Sequence, residues 1–215
     1  MAHEAKERRM KTLGGMPSSS FSTKGLFCLK GKAAIVTGGA GILGRWLCIG
    51  LADFGARVAV VDINTSAARA VASEIAQRYN VRTAGIGCDV FCHLASVKGM
   101  LKQAVRELGD ISILHNNAAK KTKAVDAYFA PMNKYSLTKW KKVMASNFDR
   151  MFLVAQAVGE HMSKRQKGSI IHTASIYGIM GSDQRIYKGS FYSGRPINTP
   201  AIYSASKSGV VALRK

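Results

Sequence analysis

Carboxylates are scarce in this chain: 12 Asp and Glu stand against 32 Lys and Arg in 215 residues, a formal net charge of +20. That imbalance favours anionic partners through its long-range field. By itself it does not choose among nucleic acid, an anionic membrane surface and an anionic small molecule. Long apolar runs are missing as well. No stretch reaches the roughly 18 consecutive apolar residues of a membrane span, and residues 1–30 lack the apolar core of a signal peptide. Neither a span nor Sec export is indicated, and the cytoplasm is the expected compartment. Cysteine is sparse too. The four cysteines, Cys28, Cys48, Cys88 and Cys92, form no C-x-x-C pair and have no His at zinc-finger spacing. Reduced thiols and no structural metal are expected. What remains is a soluble globular composition, 47% hydrophobic with mean hydropathy near zero. The length suits one domain with a core that needs no staples.

The charge is unevenly spread. Residues 1–30 hold six basic and two acidic side chains, residues 31–115 nine and six, and residues 116–215 seventeen and four. The runs Lys120-Lys121-Thr122-Lys123 and Lys139-Trp140-Lys141-Lys142 flank a predicted loop and an amphipathic helix. Solvated charge is the ordinary reading of such runs, and a dedicated anion-attracting surface is the alternative. No aromatic-plus-basic motif for nucleic-acid recognition is visible.

Residues 1–30 combine charge, Gly14-Gly15, Pro17 and Ser18-Ser19-Ser20 without periodicity and read as a flexible basic extension. The pattern becomes regular from Ala33. Apolar runs at Ala33–Thr37, Arg57–Val61, Val81–Val90, Ile111–His115 and Ser169–Thr173 predict strands. Helical spacing follows the first run around Trp46–Leu51 and recurs at Ser66–Tyr79, Leu94–Leu108 and Leu137–Met162. Continuous apolar strands alternating with helices imply an α/β fold: a doubly wound, Rossmann-type parallel sheet in three αβα layers. Such a sheet binds its ligand at the carboxyl ends of the strands, where the strand order reverses.

The motifs stand at those ends. Thr37-Gly38-Gly39-Ala40-Gly41-Ile42-Leu43-Gly44 follows the first strand and opens the first helix. Glycines there let backbone amides approach a pyrophosphate at the positive end of a helix. Asp62 ends the second strand, where a carboxylate can accept from an adenosine ribose diol and would repel a 2′-phosphate, favouring NAD over NADP. Its alternative role is a helix N-cap, although Asn64 and Ser66 can serve there. Tyr203 and Lys207, four apart on a helix, share a face. A phenol with an ordinary pKa near 10 becomes a useful acid-base group beside a fixed cation. Ser175, after the fifth strand, brings a hydroxyl to the same sheet edge.

In their order these marks resemble the short-chain dehydrogenase/reductase family: the glycine motif at 37–44, Asp62, Asp89-Val90, Asn116-Asn117-Ala118-Ala119, Asn147, Ser175 and Tyr203 with Lys207. The resemblance runs from Gly31 to the C-terminus. It implies that Tyr203 is the general acid/base, that Lys207 makes the phenol more acidic and holds the nicotinamide ribose, that Ser175 hydrogen-bonds the substrate oxygen, and that Asn147 anchors a water in the proton relay. Gly38, Gly41, Leu43, Gly44, Asp62, Asp89, Val90, Asn116 and Ala118 would line the NAD cleft. The implied activity is interconversion of a secondary alcohol and a ketone by hydride transfer on a small-molecule substrate, with a sugar as a candidate. A dinucleotide-binding protein without turnover is the alternative. Homo-oligomers through the 137–162 helix and the Tyr203 helix are also implied.

Three departures from the family pattern stand out. T-G-x-x-x-G-x-G places glycine at 42, where Ile42 stands after Gly41, so the phosphate turn is expected with a shifted contact. Ser175 and Tyr203 are about twice as far apart as is usual. The insert at about 176–200 is expected to be a substrate-facing loop in which Arg185, Lys188 and Arg195 meet an anionic or heavily hydroxylated substrate, with a merely solvated loop as the alternative. Its Ser175-Ile176-Tyr177-Gly178 start resembles family members of surface-polysaccharide and nonulosonate sugar pathways. Finally, the family continues beyond the Tyr203 helix with further strands, so residues 31–215 read as a domain truncated at its C-terminus, with an exposed fifth-strand edge.

Overall fold

The computed structural model describes residues 23–90, 93–119, 129–192 and 194–213. The predicted run Lys120-Lys121-Thr122-Lys123 and residues 1–22 lie outside them. Five strands form the main sheet: β1 (Ala33–Thr37), β2 (Arg57–Asp62), β3 (Thr83–Gly87), β4 (Ile113–Asn116) and β5 (Ser169–His172). Their order is β3-β2-β1-β4-β5, and every neighbouring pair is parallel. All five residues of β1 are buried, which explains why it carries no polar alternation: both of its faces meet helices.

Two apolar layers sandwich the sheet. On one face, α1 (Ile42–Asp53) and α2 (Thr65–Tyr79) bring Cys48, Ile49, Val71 and Ile75 against Val36, Val58 and Val60. On the other, α3 (Leu94–Leu108) and α5 (Arg150–Ser163) set Val97, Met100, Leu108, Val154 and Val158 against Ile35, Val61, Ile86 and Leu114. Alternate residues of β1 therefore feed opposite cores, as the two-residue period of a strand requires. The chain steps from β3 back across the sheet to β4, so the order reverses between β1 and β4 and opens a crevice at their carboxyl ends.

The predicted elements shift in places. The third strand covers only Thr83–Gly87 of the 81–90 region, and the fourth runs Ile113–Asn116 rather than 111–115. The expected single helix at 137–162 is two helices, α4 (Leu137–Met144) and α5, joined by a π-type turn at Ala145–Asp149. Apolar periodicity is continuous across that turn, so spacing alone could not show the extra residue; such bulges favour functional positions. The expected boundary at residue 30 also moves. Leu29 packs on the α1–α2 core, its amide donates to the Phe54 carbonyl at 2.8 Å, and Phe27 meets Phe54 edge-on.

Among the described residues β5 pairs only with β4, and Ile170 and Ile171, on opposite faces, are 36% and 43% exposed. After β5 come two single turns at Ile176–Gly178 and Gln184–Tyr187, a two-residue antiparallel ribbon of β6 (Phe191–Tyr192) and β7 (Arg195–Pro196), and α6 (Ala201–Ala212).

Candidate active site

The glycine motif forms a tight loop on the end of β1. Gly38 adopts φ +65°, in the left-handed region. Gly44 lies so close to it that a Cβ would stand 2.0 Å from the Gly38 carbonyl oxygen. Gly41 is the N-cap of α1 and no side chain caps that end, so the first amides of the helix remain free to bind an anion. Ile42, at the position where glycine was expected, is 83% exposed and leaves the turn itself intact. Leu43 beside it is exposed as well.

Asp62 has a structural task that spacing did not reveal. Its carboxylate accepts from the Ala40 amide at 3.2 Å and the Asn64 amide at 3.0 Å, tying the glycine loop to β2. The N-cap of α2 is Asn64, which accepts from the Ala67 amide at 3.1 Å. Two oxygens with several lone pairs leave Asp62 acceptor capacity toward the crevice. There a cavity of about 80 Å³ is lined by Gly38, Val61, Asp62, Ile63, Cys88, Val90, Ala118 and Ala119. Gly38, Asp62, Val90 and Ala118, from four separate chain segments, thus line one cavity, and Asp89 lies next to Val90 in the chain.

Thr37 joins the two strands at the switch point. Its hydroxyl accepts from the amides of Asn117 at 2.9 Å and Ala118 at 3.0 Å, and donates to Asn116 Oδ1 at 3.3 Å. Asn116, 1% exposed, donates through Nδ2 to the Met151 carbonyl at 2.7 Å. Asn117 Oδ1 accepts from the Thr173 hydroxyl at 3.2 Å, extending the network to β5. The Asn116 side chain is therefore buried and spent on Thr37 and Met151.

Tyr203 and Lys207 both stand on α6. Lys207 is 5% exposed, its Nζ donates to the Thr173 carbonyl at 2.6 Å, and burial lowers its pKa from the usual lysine range. Tyr203 stands one helical turn earlier on α6, half-buried. The π-type turn packs on this helix: a Cβ on Gly209 would come 2.8 Å from the Phe148 ring. The turn also carries Asn147, buried, whose Oδ1 has no hydrogen-bond partner among the described residues. An orphaned buried acceptor beside a buried ammonium helix fits a water-binding role. Ser175 Oγ accepts from the Tyr177 amide at 3.2 Å, so the turn after β5 holds its hydroxyl in place.

Residues 32–215 match the short chain dehydrogenase family. The chain belongs to this family. It is 34% identical to D-threitol dehydrogenase of Mycolicibacterium smegmatis over 88% of its own length and 64% of that protein's. Among solved structures it resembles a short-chain type dehydrogenase/reductase from Mycobacterium marinum, with TM-score 0.74 and 31% identity over 89% of this chain and 68% of that one. It also resembles NAD+-bound xylitol dehydrogenase, with TM-score 0.71 and 28% identity over 86% of this chain and 63% of that one. The chain spans about two thirds of the length of these relatives.

Within this short-chain dehydrogenase the insert differs from expectation. The Arg185 guanidinium forks onto Asp183, with Nε 3.0 Å from both carboxylate oxygens, and that pairing holds the Asp183 carboxyl below its usual range. Arg185 is therefore already neutralised; the side chain of Arg195 lies outside the described residues. The insert also exposes large apolar side chains, with Ile176, Ile179, Met180, Ile186 and Phe191 each more than half exposed. Lys30, Lys32, Arg57, Arg165 and Lys167 surround a cleft of about 850 Å³ at the opposite, amino-terminal end of the strands. Sequence reading assigned no role to Thr37, Asn117 or Thr173. The signal available was a hydroxyl residue ending β1 opposite an Asn-Asn pair ending β4, whose pairing needs the sheet order to be seen.

Proposed function

We propose that this protein is an NAD(H)-dependent oxidoreductase interconverting a secondary alcohol and a ketone, acting on a polyol or sugar-type substrate. The observation that carries the reading is the convergence at one sheet edge of the loop–Asp62–Val90–Ala118 cavity with the helix bearing Tyr203 and buried Lys207. The free amides at the start of α1, with no acidic residue in its first turn, suit a pyrophosphate. Asp62 at the cavity wall suits a ribose diol and disfavours a 2′-phosphate. When bound, the nicotinamide supplies the hydride acceptor or donor.

The chain's own groups handle the proton. In the oxidising direction Tyr203 takes the proton of the substrate hydroxyl as the carbon–hydrogen bond gives up its electron pair; in the reducing direction Tyr203 returns that proton to the oxygen. Ser175 donates a hydrogen bond to the same oxygen, where charge develops. Lys207 supplies positive charge on the same face of α6 and hydrogen-bonds the cofactor ribose. Asn147 holds a water that relays the proton to solvent. D-threitol dehydrogenase and xylitol dehydrogenase, among the similar proteins, support the substrate class. The test is absorbance at 340 nm with NAD+ or NADP+ and a polyol panel. Turnover with NAD+ that disappears in Tyr203→Phe, with NADH affinity kept, supports the reading. Affinity for NADH without turnover of any substrate supports a binding protein instead, and no affinity for either dinucleotide rejects both.

A further inference from the structure

The insert grips the entrance to α6 at one residue. Thr199 is 8% exposed and lies two positions before the helix. All three of its polar groups are engaged by the insert. Its carbonyl accepts from Gln184 Nε2 at 3.0 Å and its amide donates to Gln184 Oε1 at 3.3 Å. Its hydroxyl lies 2.5 Å from the Tyr187 hydroxyl. Tyr187 in turn donates to the Tyr177 hydroxyl at 3.1 Å. With one proton per hydroxyl, the chain runs Thr199 to Tyr187 to Tyr177, each donating to the next. The hydrogen bond that Tyr187 accepts from Thr199 holds its phenol below the usual pKa.

Tyr177 belongs to the turn that Ser175 caps. That turn touches α6 at its other end. A Cβ on Gly178 would stand 2.6 Å from the Lys207 carbonyl oxygen, and Ser208 Oγ donates to the Gly178 carbonyl at 2.8 Å. This packing around Gly178 is the first attachment of the turn, on the side of α6 away from its entrance. The hydroxyl chain supplies the second, at the Tyr203 end of the helix. Two points fix an orientation where one does not, and catalytic groups misplaced by about 1 Å can lose on the order of a hundredfold in rate.

We propose that Tyr187 is a positioning residue: through its paired hydrogen bonds to Thr199 and Tyr177 it clamps the Ser175 turn against the α6 entrance and so sets the Ser175 hydroxyl relative to the Tyr203 phenol. This rests on the reading of Ser175 and Tyr203 as the proton-handling pair. The insert is thereby a brace for the site, and its length is what lets a phenol reach back to Thr199.

The test uses the full chain. Tyr187→Phe keeps the ring and removes both hydrogen bonds; Thr199→Val removes one of them from the other side. With D-threitol or xylitol and NAD+, each variant is expected to lose about tenfold or more in kcat, with NADH affinity within twofold of wild type. The double variant is expected to be little worse than either single one, because both break one linkage. Thr199→Ser, which keeps the hydroxyl, should restore the rate. Amide hydrogen exchange should show protection lost together at 176–178 and 199–203 in Tyr187→Phe. A kcat within twofold of wild type, additive losses, or unchanged exchange at both segments overturns the proposal. Coupled loss of protection in a chain whose wild type turns over nothing supports the clamp and counts against the enzyme reading instead.

Discussion

Replacing Thr37 by Val tests whether the switch point is held by one hydroxyl. The side chain is fully buried and nearly isosteric with Val, so packing is conserved and only hydrogen bonding changes. Two amides, Asn117 and Ala118, lose acceptors at 2.9 and 3.0 Å, and Asn116 Oδ1 loses a longer bond at 3.3 Å. Each buried donor left unmade costs about 1–3 kcal/mol. Asn117 and Ala118 are half-buried, so water compensates part of this and the lower half of the range applies to each. The expected loss is about 2–4 kcal/mol in total, or roughly 5–15 °C in Tm for a domain of this size. Thr37→Ser keeps the oxygen and loses a methyl, costing about 1 kcal/mol. Urea unfolding followed by circular dichroism reads the difference as a lower midpoint with an unchanged slope. NADH fluorescence should report weaker binding in the Val variant, because Ala118 lines the same cavity as Asp62. Thr37→Val within about 0.5 kcal/mol of wild type, or a Ser variant as damaged as the Val variant, refutes the reasoning.

Gly44→Ala should abolish NADH binding and destabilise by about 3 kcal/mol, since its Cβ would meet backbone at 2.0 Å, whereas Gly41→Ala meets Gly38 O only at 3.2 Å and should keep most of both; titration and melting of the two variants check this. His115 and His172 are held below their usual pKa, chiefly by burial and for His115 also by His172. Below pH about 6.5 the unfolded chain therefore binds protons that the folded one refuses, and stability falls with pH until the lowered folded values are reached. Tm should drop between pH 7.5 and 5.5, and His115→Gln should drop less; an equal drop sinks the assignment. Burial pushes the Cys48 thiol up to about 12, while Cys28 is exposed. Peptide mapping after a thiol reagent at pH 8 should find Cys28 modified in the native protein and Cys48 modified only after unfolding.

The chain's local pattern determined a good deal by itself. Buried strands and amphipathic helices are encoded in short-range periodicity, so β1, α2 and α3 stand where spacing predicts them, and the parallel sheet follows from their alternation. The glycine loop was legible because φ +65° at Gly38 and the close approach at Gly44 are demands on single residues. Other features depend on which distant segments meet. The tie of the Asn116 side chain to Thr37 and Met151 exists only once the sheet order is set. Asp62 suggested one partner and has two, because Ala40 reaches it only once the loop folds back over β2. The π-type turn at Asn147 leaves apolar spacing undisturbed and is invisible to periodicity. Basic residues of the insert suggested an anion surface, and folding turns Arg185 onto Asp183 while Tyr187 turns inward to Thr199. Periodicity reports on neighbours a few residues apart; hydrogen-bond satisfaction is decided by partners dozens of residues away, and only the tertiary structure supplies them.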